Sequence, residues 1–260
     1  MPASAGVTGA AAACAGLSIL ITGASRGIGR GLAEGLAAAG AKVTLAARSE
    51  DALAEVTAGI TAAGGSADWV AADLSGQEGA RAAVAHAVDR FGGLDAAVVN
   101  AGASVDVPAF DLSPEDWDRV LGINLTGAFF TAQQAALAMR GNGGGSIVFT
   151  SSTFAHVAFP MRAAYAASKA GVAHLARQLG VEWAPANIRV NAVGPTATLT
   201  DLNRERLSQP EIRERIVARI PMGRLLEPSD LVPAVAFLAG RESAMVTGQS
   251  LLVDGGWTAQ

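Results

Sequence analysis

Thr22-Gly-Ala-Ser-Arg-Gly-Ile-Gly29 stands between an apolar run at 17–22 and a helix-length amphipathic segment at 29–39. Glycines at 23, 27 and 29 let the backbone turn sharply and come close to a bound group. The helix start adds unpaired N–H groups and the positive end of its dipole, which suits a phosphate. Gly23, Ser25, Arg26, Gly27, Ile28 and Gly29 are therefore the candidate phosphate-binding residues. The spacing is G-x-x-x-G-x-G, not the G-x-G-x-x-G of the common dinucleotide fingerprint. A glycine-rich turn alone would also serve a plain strand-to-helix connection; its place after the first strand carries the reading.

Outward from this loop, apolar runs at 17–22, 42–46, 67–71, 96–99, 146–150, 188–192 and 250–253 alternate with helical stretches at 29–39, 50–63, 77–91, 114–140 and 163–183. Gly40, Gly64, Gly65, Gly92, Gly93 and the glycines at 143–145 punctuate the helix ends. This alternation predicts an α/β fold, a Rossmann-type doubly wound, parallel seven-stranded sheet flanked by helices. Residues 1–16, rich in Ala and Gly, read as a flexible tail, and 17–260 as a single catalytic domain. The rhythm breaks at about 196–228, with a loop, a charged helix over 203–219 and then Ile220-Pro221. An insertion after a strand's carboxyl end is where such sheets place a lid over substrate.

Half of the 260 residues are apolar and 16% are charged, enough for a well-buried core. A net charge of −4 argues against a nucleic-acid partner. The single cysteine, Cys14, precludes an internal disulfide and fits a reducing cytoplasm. Residues 1–25 carry no side-chain charge but lack the basic start of a signal peptide. The uncharged stretch 120–139 contains Asn124, Gln133 and Gln134, which are costly against lipid, so it reads as a helix buried in the protein or at a subunit contact. No membrane association and no metal site are expected.

Tyr165-Ala-Ala-Ser-Lys169 holds the only tyrosine and one of the two lysines. Residues four apart share a helix face. A phenol of pKa about 10 is a poor proton shuttle near neutrality, and a nearby cation is expected to lower it. With TGASRGIG at 22–29, DL at 73–74, NAG at 100–102, Asn124, Ser152, YAASK at 165–169 and VDGGW at 253–257, the chain resembles the short-chain dehydrogenase/reductase family from about Ser18 to Trp257. The resemblance implies that Tyr165 exchanges a proton with the substrate oxygen, that Lys169 also bonds the nicotinamide ribose, that Ser152 (with Ser151 its neighbouring alternative) binds the reacting oxygen, and that Asn124 marks a helix distortion seating a proton-relay water.

The second strand ends Leu45-Ala46-Ala47-Arg48 without the acid that binds a ribose 2′-OH, and Arg48 with Arg26 suits a 2′-phosphate, so NADP(H) is favoured, with NAD(H) the other choice. By resemblance, Asp73 and Leu74 border the adenine, Asn100, Ala101 and Gly102 line the cofactor cleft, and Pro195 belongs to the nicotinamide loop. Pro195-Thr196 stands where the family usually has Pro-Gly. Thr198 or Thr200 would reach the carboxamide, Thr200 being preferred. The candidate substrate residues are Ser152, Phe154, His156, Tyr165 and Leu202. His156 and Arg162 either recognise a polar substrate or are solvent-facing. The resemblance implies a homotetramer that interconverts a secondary alcohol and a ketone on a small sugar- or polyol-type substrate. A 3-oxoacyl-carrier-protein reductase is the alternative, and a non-catalytic nucleotide-binding regulator a minor one.

Overall fold

The computed structural model describes residues 14–200 and 207–260. Along the chain run β1 (Ser18–Thr22), α1 (Gly27–Ala38), β2 (Lys42–Ala47), α2 (Glu50–Ala62), β3 (Ser66–Ala71), α3 (Gln77–Phe91), β4 (Ala96–Val99), α4 (Pro114–Leu121), α5 (Ala128–Arg140), β5 (Gly145–Thr150), α6 (Ala163–Glu182), β6 (Ile188–Pro195), α7 (Pro210–Val217), α8 (Pro228–Ala239) and β7 (Ser250–Val253). The seven strands form one parallel sheet in the order β3-β2-β1-β4-β5-β6-β7. Every residue of β1 and β4 is buried. Helices cover both faces of these strands, which is why they read as unbroken apolar runs. Leu32, Leu36, Leu53, Leu231 and Val235 of α1, α2 and α8 cover one face. Val84, Ala132, Met139, Val172 and Leu179 of α3, α5 and α6 cover the other. The strand order reverses between β1 and β4, and the carboxyl ends there open the crevice where such sheets bind ligands.

Three segments differ from the sequence expectation. The helix expected over 114–140 is divided by a π-helical turn, Gly122–Gly127. Helix α8 was not anticipated, because Pro228 and Pro233 hide its apolar periodicity. Pro228 occupies the tolerated first turn, and the Asp230 carboxylate accepts the Glu227 N–H at 2.9 Å. Gly31 and Gly35 give α8 its seat, since a Cβ on either would collide with Pro228 or Val232. Of the expected helix over 203–219, α7 is the described part, and residues 201–206 lie outside the described residues. The two limbs of this insertion meet at its base, where Leu199 N donates to Leu226 O (2.8 Å) and Leu226 N to Ala197 O (3.1 Å).

Of the segment expected as a tail, 1–16, the described residues 14–16 are packed against the domain. Cys14 is buried, Gly16 N donates to Gly40 O at 2.8 Å, and residues 1–13 lie outside the described residues.

Candidate active site

The loop after β1 is built for close approach. Gly23 and Gly27 adopt φ of +66° and +57°, the left-handed region that favours glycine. A Cβ on Gly29 would collide with Gly23 O and sit 2.7 Å from Asn100 Nδ2. The end of β4 clamps the loop: Asn100 Nδ2 donates to Thr22 O at 3.0 Å, and the Thr22 hydroxyl accepts the N–H groups of Asn100 (2.9 Å) and Ala101 (3.0 Å). Thr22 was not singled out from sequence, although it is the first letter of the motif; only the fold brings β4 beside it. Ser25 in the loop and Ile28 in the first turn of α1 are half-buried. Exposed Arg26 is the residue before α1, and exposed Arg48 follows β2. Arg48 is close enough to Asp73 to help hold that carboxyl below its ordinary range, after the larger contribution of hydrogen bonds from Ser75. Leu74 is buried beneath. These glycines, backed by a clamped strand end and flanked by two exposed arginines, fit a nicotinamide dinucleotide.

The candidate catalytic side chains gather after β5 and in the first turns of α6. Lys169 is 4% exposed, and its Nζ donates to Thr150 O at 2.6 Å while lying 5.8 Å from the Tyr165 ring centroid. Tyr165, half-buried, hydrogen-bonds with Ser152. The Ser152 oxygen also accepts the Phe154 N–H at 3.1 Å. Ser151 Oγ instead donates to Lys169 O at 3.1 Å, so of the two serines it is Ser152 that meets the phenol. The expectation that the phenol pKa is lowered does not hold as a net effect. Burial pushes it up, opposed by the Ser152 hydrogen bond and the positive charge of Arg162.

Asn124 lies in the π-helical turn and is buried. Its Oδ1 accepts Ala103 N–H at 2.7 Å, and its Nδ2 donates to Ala103 O and Ser168 Oγ, each at 2.9 Å. Ser168 Oγ in turn donates to Tyr165 O at 2.7 Å. Asn124 thus ties the loop after β4 to the first turns of α6, and Ser168, overlooked within YAASK, is the intermediate. Gly102 faces Asn124 and Lys169, where a Cβ would lie 3.1 Å from Asn124 Oδ1 and 3.7 Å from Lys169 Nζ.

Burial pushes the Lys169 ammonium down to about 8. An unfolded lysine titrates near ~10.4, so between those two values the unfolded chain binds more protons, and stability rises with pH across that window. Below it both states hold the proton, and the folded state bears the desolvation cost. The urea midpoint of wild type should therefore climb relative to Lys169→Met between about pH 8 and 10. A gap that does not change with pH would contradict a desolvated ammonium.

On the side of the 196–228 insertion, Phe154 stacks on Phe159 (centroids 5.3 Å apart) and meets Tyr165 and Trp257 edge-on at 6.4 and 6.1 Å. Buried Leu207, Ile220, Leu225 and Trp257 form the cluster on which these rings rest. His156 is exposed and turned to Ser250 Oγ (3.2 Å), at the start of β7 and away from the carboxyl ends. Leu202 lies outside the described residues. Pro195 ends β6; buried Thr196 N donates to Val253 O at 3.4 Å. Thr198 Oγ1 donates to Thr196 O at 2.9 Å, whereas the Thr200 methyl faces Gly27 of the phosphate loop. A cleft of about 610 Å³ beside that loop is lined by Gly27, Arg30, Thr200 and Glu227, and it reaches none of Ser152, Tyr165 and Lys169.

Residues 23–258 match the family described as enoyl-(acyl carrier protein) reductase. An L-rhamnose 1-dehydrogenase (NAD(P)(+)) of Azotobacter vinelandii is 41% identical over 92% of this chain and 95% of its own. A 3beta-hydroxysteroid dehydrogenase 1 of Eggerthella lenta is 40% identical over 94% of each. A solved structure described as a “putative NAD(P) dependent gluconate 5-dehydrogenase” of Beutenbergia cavernae, with NADP at low occupancy, superposes with a TM-score of 0.90 at 39% identity, over 95% of this chain and 99% of that one.

Proposed function

The chain belongs to the short-chain dehydrogenase/reductase family, and we infer that it is an NAD(P)-dependent oxidoreductase interconverting CH–OH and C=O on a small sugar or polyol. The observation that carries the reading is the contact of Ser152 with Tyr165 above a buried Lys169. A bound nicotinamide would supply the redox half of the reaction, as acceptor or donor of a hydride, one proton with two electrons, at the carbinol carbon. Ser152 holds the substrate oxygen. Tyr165 takes the proton from that oxygen during oxidation and returns it during reduction. Lys169 presents its charge to the phenolate that results. Asn124 acts through the loop it ties to α6. At C1 of a cyclic sugar the same step yields a lactone carbonyl in place of a ketone.

Sugar substrates are supported by the rhamnose and gluconate relatives, and the steroid relative makes the assay decisive. An acidic carrier protein would need a basic docking face. On and beside α7, Arg213, Arg215 and Arg219 are diluted by Glu211 and Glu214. The test compares kcat/KM for aldoses, keto-sugar acids and polyols with acetoacetyl thioesters and a 3-hydroxysteroid. Sugars or polyols should lead. Thioester or steroid turnover without measurable sugar turnover would reverse the reading.

NADP(H) is the preferred cofactor in this reading, because Arg48 and Arg26 flank the adenosine end with no acid at the close of β2. Arg48→Ala should weaken NADPH binding by about 10- to 100-fold, the worth of one or two charge-assisted hydrogen bonds, and NADH far less. Equal losses for both in fluorescence titration would remove Arg48 from the 2′-phosphate.

A homotetramer is supported by two sets of exposed apolar residues: Trp117, Leu137 and Val181 on α4, α5 and α6, and Met245 with Leu251 at and before β7. No helix among the described residues is long and apolar enough to cross a membrane. The sequence holds a single cysteine, Cys14, and it is buried, which fits a reducing, cytoplasmic setting.

A further inference from the structure

Arg162 immediately precedes α6, three residues before Tyr165. Its side chain is 16% exposed. Nη1 donates to Ser104 Oγ at 2.7 Å, Nη2 donates to Asp106 Oδ2 at 2.9 Å, and Nη1 also pairs with Asp106 Oδ1. This is a two-pronged guanidinium–carboxylate contact, the geometry that fixes an arginine most firmly. Ser104 and Asp106 lie on the loop after β4, whose Ala103 is gripped by Asn124. That loop is thus held at one point by Asn124 and at the next by Arg162, and both holds reach α6 around Tyr165.

Lys169 Nζ lies 5.8 Å from the centre of the phenol ring, Arg162 stands three residues before it at the start of α6, and Asp106, on the loop after β4, comes in through its pairing with Arg162. The segment after β5 brings Ser152 and the edge of Phe154, its His156 being turned to Ser250. We propose that Arg162 and Asp106 act as an electrostatic pair on Tyr165: Arg162 holds the loop against α6 and fixes a positive charge beside the phenol, and Asp106 tempers that charge. Arg162 opposes the upward push that burial gives the phenol. The pair consists of positioning residues, and the proposal rests on Tyr165 as the proton-transfer group, which Tyr165→Phe tests separately.

The experiment is the pH profile of kcat for alcohol oxidation, whose acidic limb reports protonation of the base. Arg162→Gln should move that limb alkaline by about one pH unit, the lower end of what a neighbouring charge does. Asp106→Asn retains a hydrogen-bonding side chain and removes the negative charge, so the limb should move acid. Arg162→Lys should restore most of the wild-type position. Shifts in the same direction for Arg162→Gln and Asp106→Asn would mean a strut without electrostatic action, and overturn the proposal. An unmoved limb with a raised KM would make Arg162 a substrate contact, and also overturn it. If Arg162→Gln does not fold, Asp106→Asn decides alone: an acid shift supports the pair, and no shift or an alkaline one ends it.

Discussion

Tyr165→Phe is expected to lower kcat by about 10²-fold or more while the enzyme still binds nicotinamide dinucleotide, because removal of a general acid–base group typically costs that much. The substitution keeps the ring, and with it the edge-on contact with Phe154 and the 5.8 Å approach of Lys169 Nζ to the ring centre. Lys169 stays in place because its ammonium is held by Thr150 O, not by the phenol. The phosphate loop is clamped by Thr22 and Asn100, neither of which depends on Tyr165. The only loss is the hydroxyl bonded with Ser152. Steady-state kcat together with the dissociation constant of the cofactor, read by fluorescence, separates chemistry from binding. Near-normal turnover in this variant would falsify the assignment of Tyr165, and with it the catalytic reading of Ser152.

Most of the frame was legible because local sequence determines it. Each strand of the sheet coincides with an apolar run, and the ends differ by a residue or so except at β6, which continues to Pro195 through small residues that propensity did not mark. The π-helical turn was invisible to periodicity, since GINLTG keeps the apolar spacing of an α-helix while the backbone widens around Asn124. Only the family resemblance pointed to a distortion there. Helix α8 is hidden by its two prolines, which in isolation argue against a helix; Pro228 takes the tolerated first turn against the bare surface of Gly31, and Gly35 on α1 receives Val232. At the site, the YAASK spacing placed Tyr165 and Lys169 on one helix face, but not what they touch. The four-residue spacing also says nothing of the burial that pushes the phenol's pKa up, because burial depends on what packs around α6 from distant parts of the chain. The Arg162–Asp106 pair spans 56 positions, and nothing local to either residue announces it.

Gly29→Ala is expected to abolish measurable dinucleotide binding and to lower stability by ~2–3 kcal/mol, at the upper end of overpacking costs. Alanine is ordinarily the better helix residue by about 1 kcal/mol, so propensity alone predicts the opposite sign. Geometry decides it. The new methyl would collide with Gly23 O and press on Asn100 Nδ2 at 2.7 Å. Neither neighbour can move cheaply: Gly23 sits at φ +66° with its N–H on Ala46 O at 2.7 Å, and the Asn100 amide is engaged with Thr22 O at 3.0 Å. Relief requires the loop to open, which withdraws the backbone that approaches the phosphates, and every 1.4 kcal/mol of lost contact is about tenfold in affinity. Gly59 is the control. It lies within α2 with nothing inside 4 Å of an added Cβ, so Gly59→Ala should raise stability by ~0.4–1 kcal/mol and leave cofactor binding alone. Urea unfolding and NADPH titration of the two variants read both effects. Wild-type affinity in Gly29→Ala would mean that the loop gives way freely, and that its glycines are not there for a phosphate.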